Sequence, residues 1–199
     1  AQMFQMMNEE RLVTGHAALS AASVAYYNAV KYASERIQGR PLTNPKAGRV
    51  PIIKHEDVRR MLMYQKAHIE ASRAMSIYTY YLIDVAENSS EEELVKKAKA
   101  TIEVHTPIVK AYCSDVCWLS ISEAMQVYGG YGFSEEYPIA QLLRDSRIYS
   151  IWEGTNYIQA MDLVGRKWML GKGQVFAAWL QDIQDFIETN RSSSSFAHE

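Results

Sequence analysis

The order of apolar and polar residues predicts long helices along most of the chain. Between Met3 and Arg36 there is no proline, and Gly15 is the only internal glycine. Alanines recur in this segment at positions 17, 18, 21, 22, 25, 29 and 33. Small residues at helical spacing predict a first helix with a face suited to close packing. Residues 37–54 contain three prolines and two glycines, which predict a loop.

Two further long helices are predicted after this loop. One runs from about Glu56 to Ala86. The next begins at Ser90, which forms a capping box with Glu93 in the S-x-x-E pattern. It continues until a pair of glycines at 129 and 130 ends it, with Pro107 kinking or restarting it on the way.

A fourth helix completes the predicted architecture. Pro138 favours a short helix, and a longer one is expected from near Thr155 to Leu170. Long helices with short links and no alternating strand pattern predict an all-α fold, an antiparallel four-helix-type bundle. The serine-rich residues 191–199 are expected to be a disordered tail.

Composition and charge narrow the class of protein. The 199 residues are 48% hydrophobic, enough to bury a core. A net charge of −2 gives no basic surface for nucleic acid, and the apolar stretches are too short and interrupted to span a membrane.

Cysteine and histidine usage excludes an obvious metal site. The two cysteines, Cys113 and Cys117, are too few for a disulfide framework and fit a cytoplasmic compartment. At four residues apart they are interpreted as buried structural thiols. The five histidines are scattered without a metal-ligand pattern, and most are expected to be solvated or singly hydrogen-bonded. We therefore expect no metal.

One carboxylate stands out. Glu153 lies in IYSIWEGTNYIQ (148–159), a stretch that is otherwise largely apolar. Packing of its neighbours Ile148, Tyr149, Ile151 and Trp152 is expected to desolvate it, which would raise its pKa and make it a better proton acceptor. Glu153 is therefore a candidate general base, and the alternative is a surface residue without a role.

A longer stretch around Glu153 carries a family resemblance. Residues 126–159 read QVYGGYGFSEEYPIAQLLRDSRIYSIWEGTNYIQ. The ordered set of a paired glycine, GF with EYP, RD with RI, and EGTN with IQ resembles the C-terminal signature of the flavin-dependent acyl-CoA dehydrogenases. The segments HEDVRRML, HTPIVKAYCSD and IQAMDLVGRK are similar to the larger bacterial members, which include 3-methylmercaptopropionyl-CoA dehydrogenases.

The resemblance implies a protein of three parts. An N-terminal helical domain and a middle β-domain are expected to be absent from this chain. Residues 1–170 would then form the C-terminal bundle, and 171–190 would begin a helical extension. FAD in this family lies between domains and across a subunit boundary, so this chain alone is expected to bind it weakly or not at all.

Glu153 matches the catalytic base of the family. The resemblance implies that its carboxylate removes the α-proton of an acyl-CoA thioester while the β-hydride passes to the flavin. Gly154, beside it, is expected to lie against the substrate. Arg166 is expected to close the site or contact CoA. For Arg11, a role near the active-site carboxylate and a structural salt bridge are equally open.

Glu10 is a rival base. Some members lack the glutamate in EGT and carry the base on the first helix, just before an arginine, where this chain has Glu10 and Arg11. Members of that kind usually have no acid at the EGT position, so Glu153 is favoured. Glu10 is then expected to act behind the base or as an ion-pair partner.

Five residues match cofactor contacts of the family. Arg36 matches an arginine that reaches the flavin pyrophosphate of a neighbouring subunit, a task suited to a guanidinium fork. Gln126 and Gly130 match residues beside the adenosine diphosphate portion. Thr155 and Asn156 are expected at a helix N-terminus, where free amides favour phosphate oxygens or polar flavin groups.

The implied function is oxidation of an acyl-CoA to the trans-2-enoyl-CoA by a homo-oligomer, a dimer or a tetramer, with an electron-transfer flavoprotein as acceptor. Two alternatives stay open. An acyl-CoA oxidase would share the fold and use oxygen, and a non-enzymatic relative would serve in subunit docking or resemble the DNA-binding alkylation-response flavoproteins. The slightly acidic composition argues against contact with DNA.

Overall fold

The fold is all-α, as predicted. A computed structural model describes residues 2–193, with side chains from residue 6 onward. The helices are α1 (Gln2–Glu35), α2 (Glu56–Asn88), α3 (Glu92–Tyr128), α4 (Ile139–Ser146), α5 (Asn156–Gly165) and α6 (Gln174–Asn190). Short 3₁₀ turns lie at Ile52–Lys54, Gly129–Phe133, Arg147–Ser150 and Lys167–Gly173. No β-strand occurs between residues 2 and 193.

The three long helices form an antiparallel bundle, and α4 and α5 pack against α3 as shorter elements. The small face of α1 is buried as predicted, through Ala18, Ala22, Ala25, Ala29 and Ala33. At Gly15 α3 approaches α1 closely, because a Cβ there would lie 2.8 Å from the carbonyl oxygen of Val109. The predicted four-helix-type bundle is therefore confirmed, with α5 as its short fourth helix.

The loop between α1 and α2 is closed at its base. Ile37 and Pro51 form an isolated antiparallel bridge, and the amide of Ile52 donates to the carbonyl of Arg36 over 2.8 Å. These bonds fix Arg36 at the C-terminal end of α1, next to the start of α2.

The predicted start of α3 is wrong, and one of the two alternatives for Pro107 is excluded. The capping box does not form, since α3 begins at Glu92 and no side chain caps it. The hydroxyl of Ser89 instead accepts from the amide of Glu91, at 3.2 Å. Pro107 does not restart the helix, which runs through it. The missing proline N–H removes one intrahelical hydrogen bond, and the proline ring is fully buried in the bundle.

The fourth helix is shorter than predicted. Helix α5 ends at Gly165 instead of Leu170, and a 3₁₀ turn with left-handed backbone at Gly171 and Lys172 leads into α6. Helix α6 occupies most of 171–190, where a helical extension is expected. Of the expected disordered tail, residues 194–199 lie outside the described residues.

Helix α6 is joined to the bundle through a buried histidine. Trp179 donates its indole N–H to Nε2 of His105 over 2.9 Å. The ring proton of neutral His105 is therefore on Nδ1, which faces the hydroxyl of Thr79 at 3.0 Å. His105 has two partners and is an exception to the expectation that most histidines are solvated or singly hydrogen-bonded.

Residues 2–193 contain neither a candidate membrane span nor a candidate metal cluster. No helix is both long and apolar enough to cross a lipid bilayer. No three histidine, cysteine or acidic side chains in that range are grouped so that they could hold a metal ion.

Candidate active site

The turn between Ile151 and Thr155 has an unusual backbone. Glu153 has a φ of 53° and Gly154 a φ of 84°. Positive φ costs a non-glycine residue roughly 1–2 kcal/mol, so the surrounding structure must hold Glu153 in this conformation. Among the described residues only Lys172 shares this feature without being glycine. Strain of this kind at a single carboxylate is a recognised mark of a functional position.

A buried side chain of α5 holds the turn in place. Gln159 is 1% exposed and donates to the carbonyl of Gly154 at 3.1 Å and to that of Glu153 at 3.5 Å. A Cβ on Gly154 would lie 2.9 Å from Gln159 Nε2 and 3.7 Å from Arg11 Nη2. A side chain at position 154 would therefore displace the Gln159 amide and strain the backbone at a φ of 84°.

An ion-pair group joins this turn to α1. The guanidinium of Arg11 lies 3.1 Å from the carboxylate of Asp162, and both side chains are buried. Arg166 is half exposed and pairs with the same carboxylate at 2.7 Å. Arg11 thus has the structural salt bridge that was one of its two expected roles, yet it also lies beside Gly154.

A buried lysine lies under the start of α5. Lys110 of α3 is 0% exposed and donates to the side-chain oxygen of Asn156 over 2.8 Å. The Asn156 amide group donates in turn to Ser114 Oγ at 2.9 Å. Burial lowers the pKa of Lys110 to about 8, while the nearby carboxylates of Asp115 and Glu153 act in the opposite direction.

Thr155 and Asn156 lie at a helix N-terminus, as predicted. Thr155 is the N-cap of α5, and its hydroxyl accepts from the amide of Ile158 at 3.4 Å. The Asn156 side chain points toward α3, so it is the backbone amides of this first turn that could meet a polar ligand.

The two candidate bases have different surroundings. Glu153 is half-buried, and Glu10 on α1 is exposed. No ion pair of Glu10 occurs within the described residues, so its expected role as an ion-pair partner is not seen.

The apolar neighbours of Glu153 do not pack as expected. Ile148, Ile151 and Trp152 are 45%, 50% and 48% exposed. The expectation that they desolvate Glu153 within this chain is therefore wrong. They are instead exposed apolar side chains that precede Glu153 in the chain.

The remaining predicted cofactor residues lie at the other end of the bundle. Arg36 and Gln126 line one open cleft of about 370 Å³, together with Gly129. The Arg36 guanidinium lies 5.2 Å from the ring centroid of Tyr131, and its buried Nε has no partner. Gly130 follows Gly129, and nothing lies within 4 Å of where its Cβ would be.

The two groups of predicted residues are far apart. A helical rise of about 1.5 Å per residue places Arg11 and Glu35 roughly 36 Å apart along α1. Arg11 lies beside the Glu153 turn, and Glu35 directly precedes Arg36, so this distance is the separation of the two groups. The structure therefore brings Glu153, Gly154, Thr155, Asn156, Arg11 and Arg166 together, and places Arg36, Gln126 and Gly130 at a second location.

Sequence reasoning missed three residues of the Glu153 site. Lys110, Asp162 and Gln159 are all buried beneath the turn or beside it. A lysine in the apolar run HTPIVKAYC was the available signal for Lys110, because a charge at a core position is rare without a partner. No local sequence signal indicates Asp162, because its ion-pair partner Arg11 is distant in the sequence.

Comparison with known proteins defines the class. Residues 1–168 match the family model described as acyl-CoA dehydrogenase, C-terminal domain. The chain therefore belongs to the acyl-CoA dehydrogenase family and corresponds to its C-terminal domain.

Individual relatives agree. Butyryl-CoA dehydrogenase of Syntrophomonas wolfei is 49% identical over the whole chain, which covers 32% of that protein. The 3-methylmercaptopropionyl-CoA dehydrogenase of Ruegeria pomeroyi is 43% identical over 83% of the chain and 28% of that protein. A Bacillus anthracis acyl-CoA dehydrogenase complexed with FAD matches with a TM-score of 0.70 and 30% identity, over 85% of this chain and 29% of that one. The chain thus spans about a third of the length of these relatives.

Proposed function

We propose that this chain is the part of a flavin-dependent acyl-CoA dehydrogenase that supplies the catalytic base, Glu153, and part of the FAD site. The strained turn carries this proposal. The backbone of Glu153 is kept at a φ of 53°, and the buried Gln159 of α5 donates to the carbonyls of Glu153 and Gly154, so the direction in which the side chain leaves the turn is set. Fixed direction is what proton abstraction from a weakly acidic carbon requires.

Glu153 accepts the α-proton of a saturated acyl-CoA thioester in this proposal. As the proton leaves, negative charge develops on the thioester oxygen, and backbone N–H groups of the turn are suited to stabilise it. Bound FAD supplies the acceptor for the hydride that leaves the β-carbon. Loss of that proton and hydride together leaves the trans-2-enoyl-CoA. Gly154 follows the base directly, and Arg166 shares the carboxylate of Asp162 with Arg11. In this proposal Gly154 and Arg166 border the thioester and its CoA.

The second location fits the other part of FAD. Arg36 offers a guanidinium with an orphaned buried Nε, which suits a pyrophosphate oxygen. Gln126 lines the same cleft, and the open space at Gly130 lets a ligand approach the backbone. The separation of about 36 Å along α1 supports a homo-oligomer in which each chain contributes to two different FAD molecules.

The test compares two variants in the full-length parent protein. Glu153→Gln is expected to slow flavin reduction by acyl-CoA in a single turnover by about 10²–10⁴-fold, the usual contribution of a general base. Glu10→Gln is the matched control, since Glu10 is exposed and adjacent to Arg11. Loss of flavin reduction in Glu10→Gln, with normal reduction in Glu153→Gln, would overturn the assignment.

The electron acceptor is proposed to be an electron-transfer flavoprotein in the cytoplasm. An acyl-CoA oxidase would consume oxygen at the rate of substrate turnover. The proposed dehydrogenase is expected to turn over with an artificial electron dye and to consume little oxygen. A parent protein that purifies without flavin and does not bleach with any acyl-CoA would favour the non-enzymatic docking alternative.

A further inference from the structure

A cluster of four tyrosines lies beside Arg36 and takes no part in the chemistry proposed above. Tyr32 of α1 and Tyr128 of α3 stack with 4.1 Å between their ring centroids. Tyr137 packs edge-on against both rings, at 5.8 and 5.2 Å. Tyr131 packs edge-on against Tyr137, at 5.9 Å. The four rings therefore form one continuous aromatic cluster, and Tyr131, which is 46% exposed, is its most exposed member.

The bundle holds both the inner rings of this cluster and the turn that carries Tyr131. Tyr128 is 5% exposed, and its hydroxyl donates to the carbonyl of Asn28 over 3.1 Å. At Gly132, directly after Tyr131, a Cβ would lie 2.7 Å from the carbonyl oxygen of Met125. The 3₁₀ turn Gly129–Phe133 therefore lies tightly against the end of α3, and the position of Tyr131 is set.

The ring of Tyr131 contacts the guanidinium of Arg36. Arg36 Cζ lies over this ring, 5.2 Å from its centroid, a distance at which the negative face of the ring attracts a cation. Within the described residues Arg36 forms no salt bridge, and its buried Nε has no hydrogen-bond partner. Contact with a ring face uses none of the N–H donors of a guanidinium, so these donors stay available for a ligand.

Arg36 borders the ligand space, whereas Tyr131 does not. Arg36, Tyr32 and Tyr128 line the cleft of about 370 Å³, and among the described residues Tyr131 is not part of that lining. Tyr131 therefore contacts a side chain of the cleft from outside the cleft. Its effect on a bound molecule would pass through Arg36.

We propose that Tyr131 is a positioning residue of the FAD site: its ring holds the Arg36 guanidinium at the cleft with the N–H donors free for a pyrophosphate oxygen. This inference rests on the proposed function, because it assumes that Arg36 contacts FAD. A free arginine side chain samples many rotamers, and a ring that favours one of them reduces the entropy lost when the ligand binds. Tyr131 thereby raises the affinity for FAD and takes no part in the chemical step.

The test follows release of FAD from the full-length holoprotein on dilution, through the recovery of flavin fluorescence. Tyr131→Leu removes the ring and is expected to raise the dissociation constant about 2–5-fold, the contribution of an exposed cation–π contact. Tyr131→Phe keeps a ring and is expected to bind FAD about as tightly as the wild type. An equal loss of affinity in Tyr131→Phe and Tyr131→Leu would overturn the role of the ring face.

A double variant separates positioning from direct contact with FAD. Arg36→Gln removes charge-assisted hydrogen bonds and is expected to raise the dissociation constant about 10-fold or more. If Tyr131 acts through Arg36, adding Tyr131→Leu to Arg36→Gln is expected to weaken binding no further. A further loss as large as that of Tyr131→Leu alone would mean that the ring acts independently of Arg36, and would overturn the inference.

Phe133 provides a matched control. It belongs to the same 3₁₀ turn, two positions after Tyr131, and is 81% exposed. Phe133→Leu removes an aromatic ring from this turn and is expected to leave the affinity for FAD unchanged. A loss equal to that of Tyr131→Leu would make the effect general to the turn and overturn the assignment.

The oligomeric state of each variant, measured by light scattering, excludes a role for Tyr131 at a subunit interface. The wild-type oligomer is expected in Tyr131→Leu. Weaker binding that appears only together with a dissociated oligomer would overturn the inference in favour of such an interface.

Failure of the inference and failure of the proposed function give different results. An unchanged affinity for FAD in Arg36→Gln overturns the proposed FAD contact at this end of the bundle. Weakened binding in Arg36→Gln, combined with wild-type affinity in Tyr131→Leu, overturns the inference alone.

Discussion

Arg11 Nη1 lies 3.1 Å from Asp162 Oδ2, and this buried ion pair joins the first long helix to α5. The side chains are 6% and 4% exposed. Since α5 begins directly after the Glu153 turn, the pair helps to determine where the candidate base lies relative to α1. The pair therefore links the stability of the bundle to the geometry of the site.

Removing one partner is expected to be severe. Asp162→Ala leaves the Arg11 guanidinium buried without its countercharge, which costs about 3–5 kcal/mol in comparable sites. The free energy of unfolding, measured by urea denaturation of the protein, checks this value. The matched control is Asp182→Ala, which breaks the exposed pair with Lys97 and is expected to cost about 1 kcal/mol or less. Equal losses in the two variants would contradict a structural role for the buried pair.

Gly154 is expected to tolerate no side chain. In Gly154→Ala the new Cβ meets Gln159 Nε2 at 2.9 Å, and the φ of 84° is strained for alanine by roughly 1–2 kcal/mol. We expect a lower thermal midpoint and a slower rate of flavin reduction in the full-length parent. The rate is expected to be affected because replacing Gly154 shifts the turn that carries Glu153. Both measurements are needed to separate loss of fold from loss of geometry.

Gly165 is the control for that substitution. It lies at the C-terminal end of α5, the helix that follows the Glu153 turn. Nothing is within 4 Å of its Cβ position, and its φ is not positive. Gly165→Ala is expected to stabilise the protein by about 0.4–1 kcal/mol, through the lower entropy of the unfolded chain. A Gly154→Ala variant as stable and as active as Gly165→Ala would be inconsistent with the described turn.

The long helices could be predicted from the sequence because their signals are local. The alanine-rich face of α1 and the glycines at 129 and 130 define elements without reference to the rest of the chain. The end of α5 could not be predicted in this way. The apolar pattern continues past Gly165, but α5 ends there, at Arg166 with a non-helical φ of −122°, and the left-handed residues at 171 and 172 come only in the 3₁₀ segment that follows.

The candidate site was only partly predictable, for a related reason. Glu153, Thr155 and Asn156 form one contiguous segment that resembles a known motif. Lys110 and Asp162 reach the site through tertiary contacts with Asn156 and Arg11, and such pairings leave no pattern in a single sequence. The apolar residues around Glu153 gave a wrong prediction of burial. An apolar stretch predicts that some surface covers it, but it does not reveal whether that surface belongs to the same chain.

His105 makes the attachment of α6 sensitive to acid. Burial lowers the pKa of His105 below its ordinary value of 6.5, so the unfolded chain takes up a proton first as the pH falls. The contribution of neutral His105 to stability is thus complete above about pH 6.5 and is lost as the pH falls toward the lowered pKa. Protonation also removes the Nε2 lone pair that accepts from Trp179. Thermal midpoints between pH 7.5 and 5 are expected to fall more steeply in the wild type than in His105→Gln.

Trp179→Phe tests the same contact between α6 and the bundle by changing the hydrogen-bond donor instead of the acceptor. This variant keeps the aromatic contact and removes the N–H donor, so it is expected to lower the thermal midpoint at pH 7.5 and to show a smaller further loss at pH 5. Limited proteolysis within α6 at the two pH values gives a second measurement. Equal acid sensitivity in the wild type and in both variants would place the effect elsewhere.

The two cysteines are expected to be inert in the native protein. Both side chains are 0% exposed, and burial raises the pKa of Cys113 to about 11 and that of Cys117 to about 12. The thiolate is the reactive form, so little of either residue is available near neutral pH. A chromogenic disulfide reagent at pH 7.5 is therefore expected to label neither thiol in the native state and both after denaturation. Leu119→Cys places a thiol on the exposed face of the same helix, where the leucine is 44% exposed, and is expected to react at once. Rapid labelling of Cys113 or Cys117 in the native protein would mean that α3 opens, and would conflict with the close packing that holds Lys110 beneath Glu153.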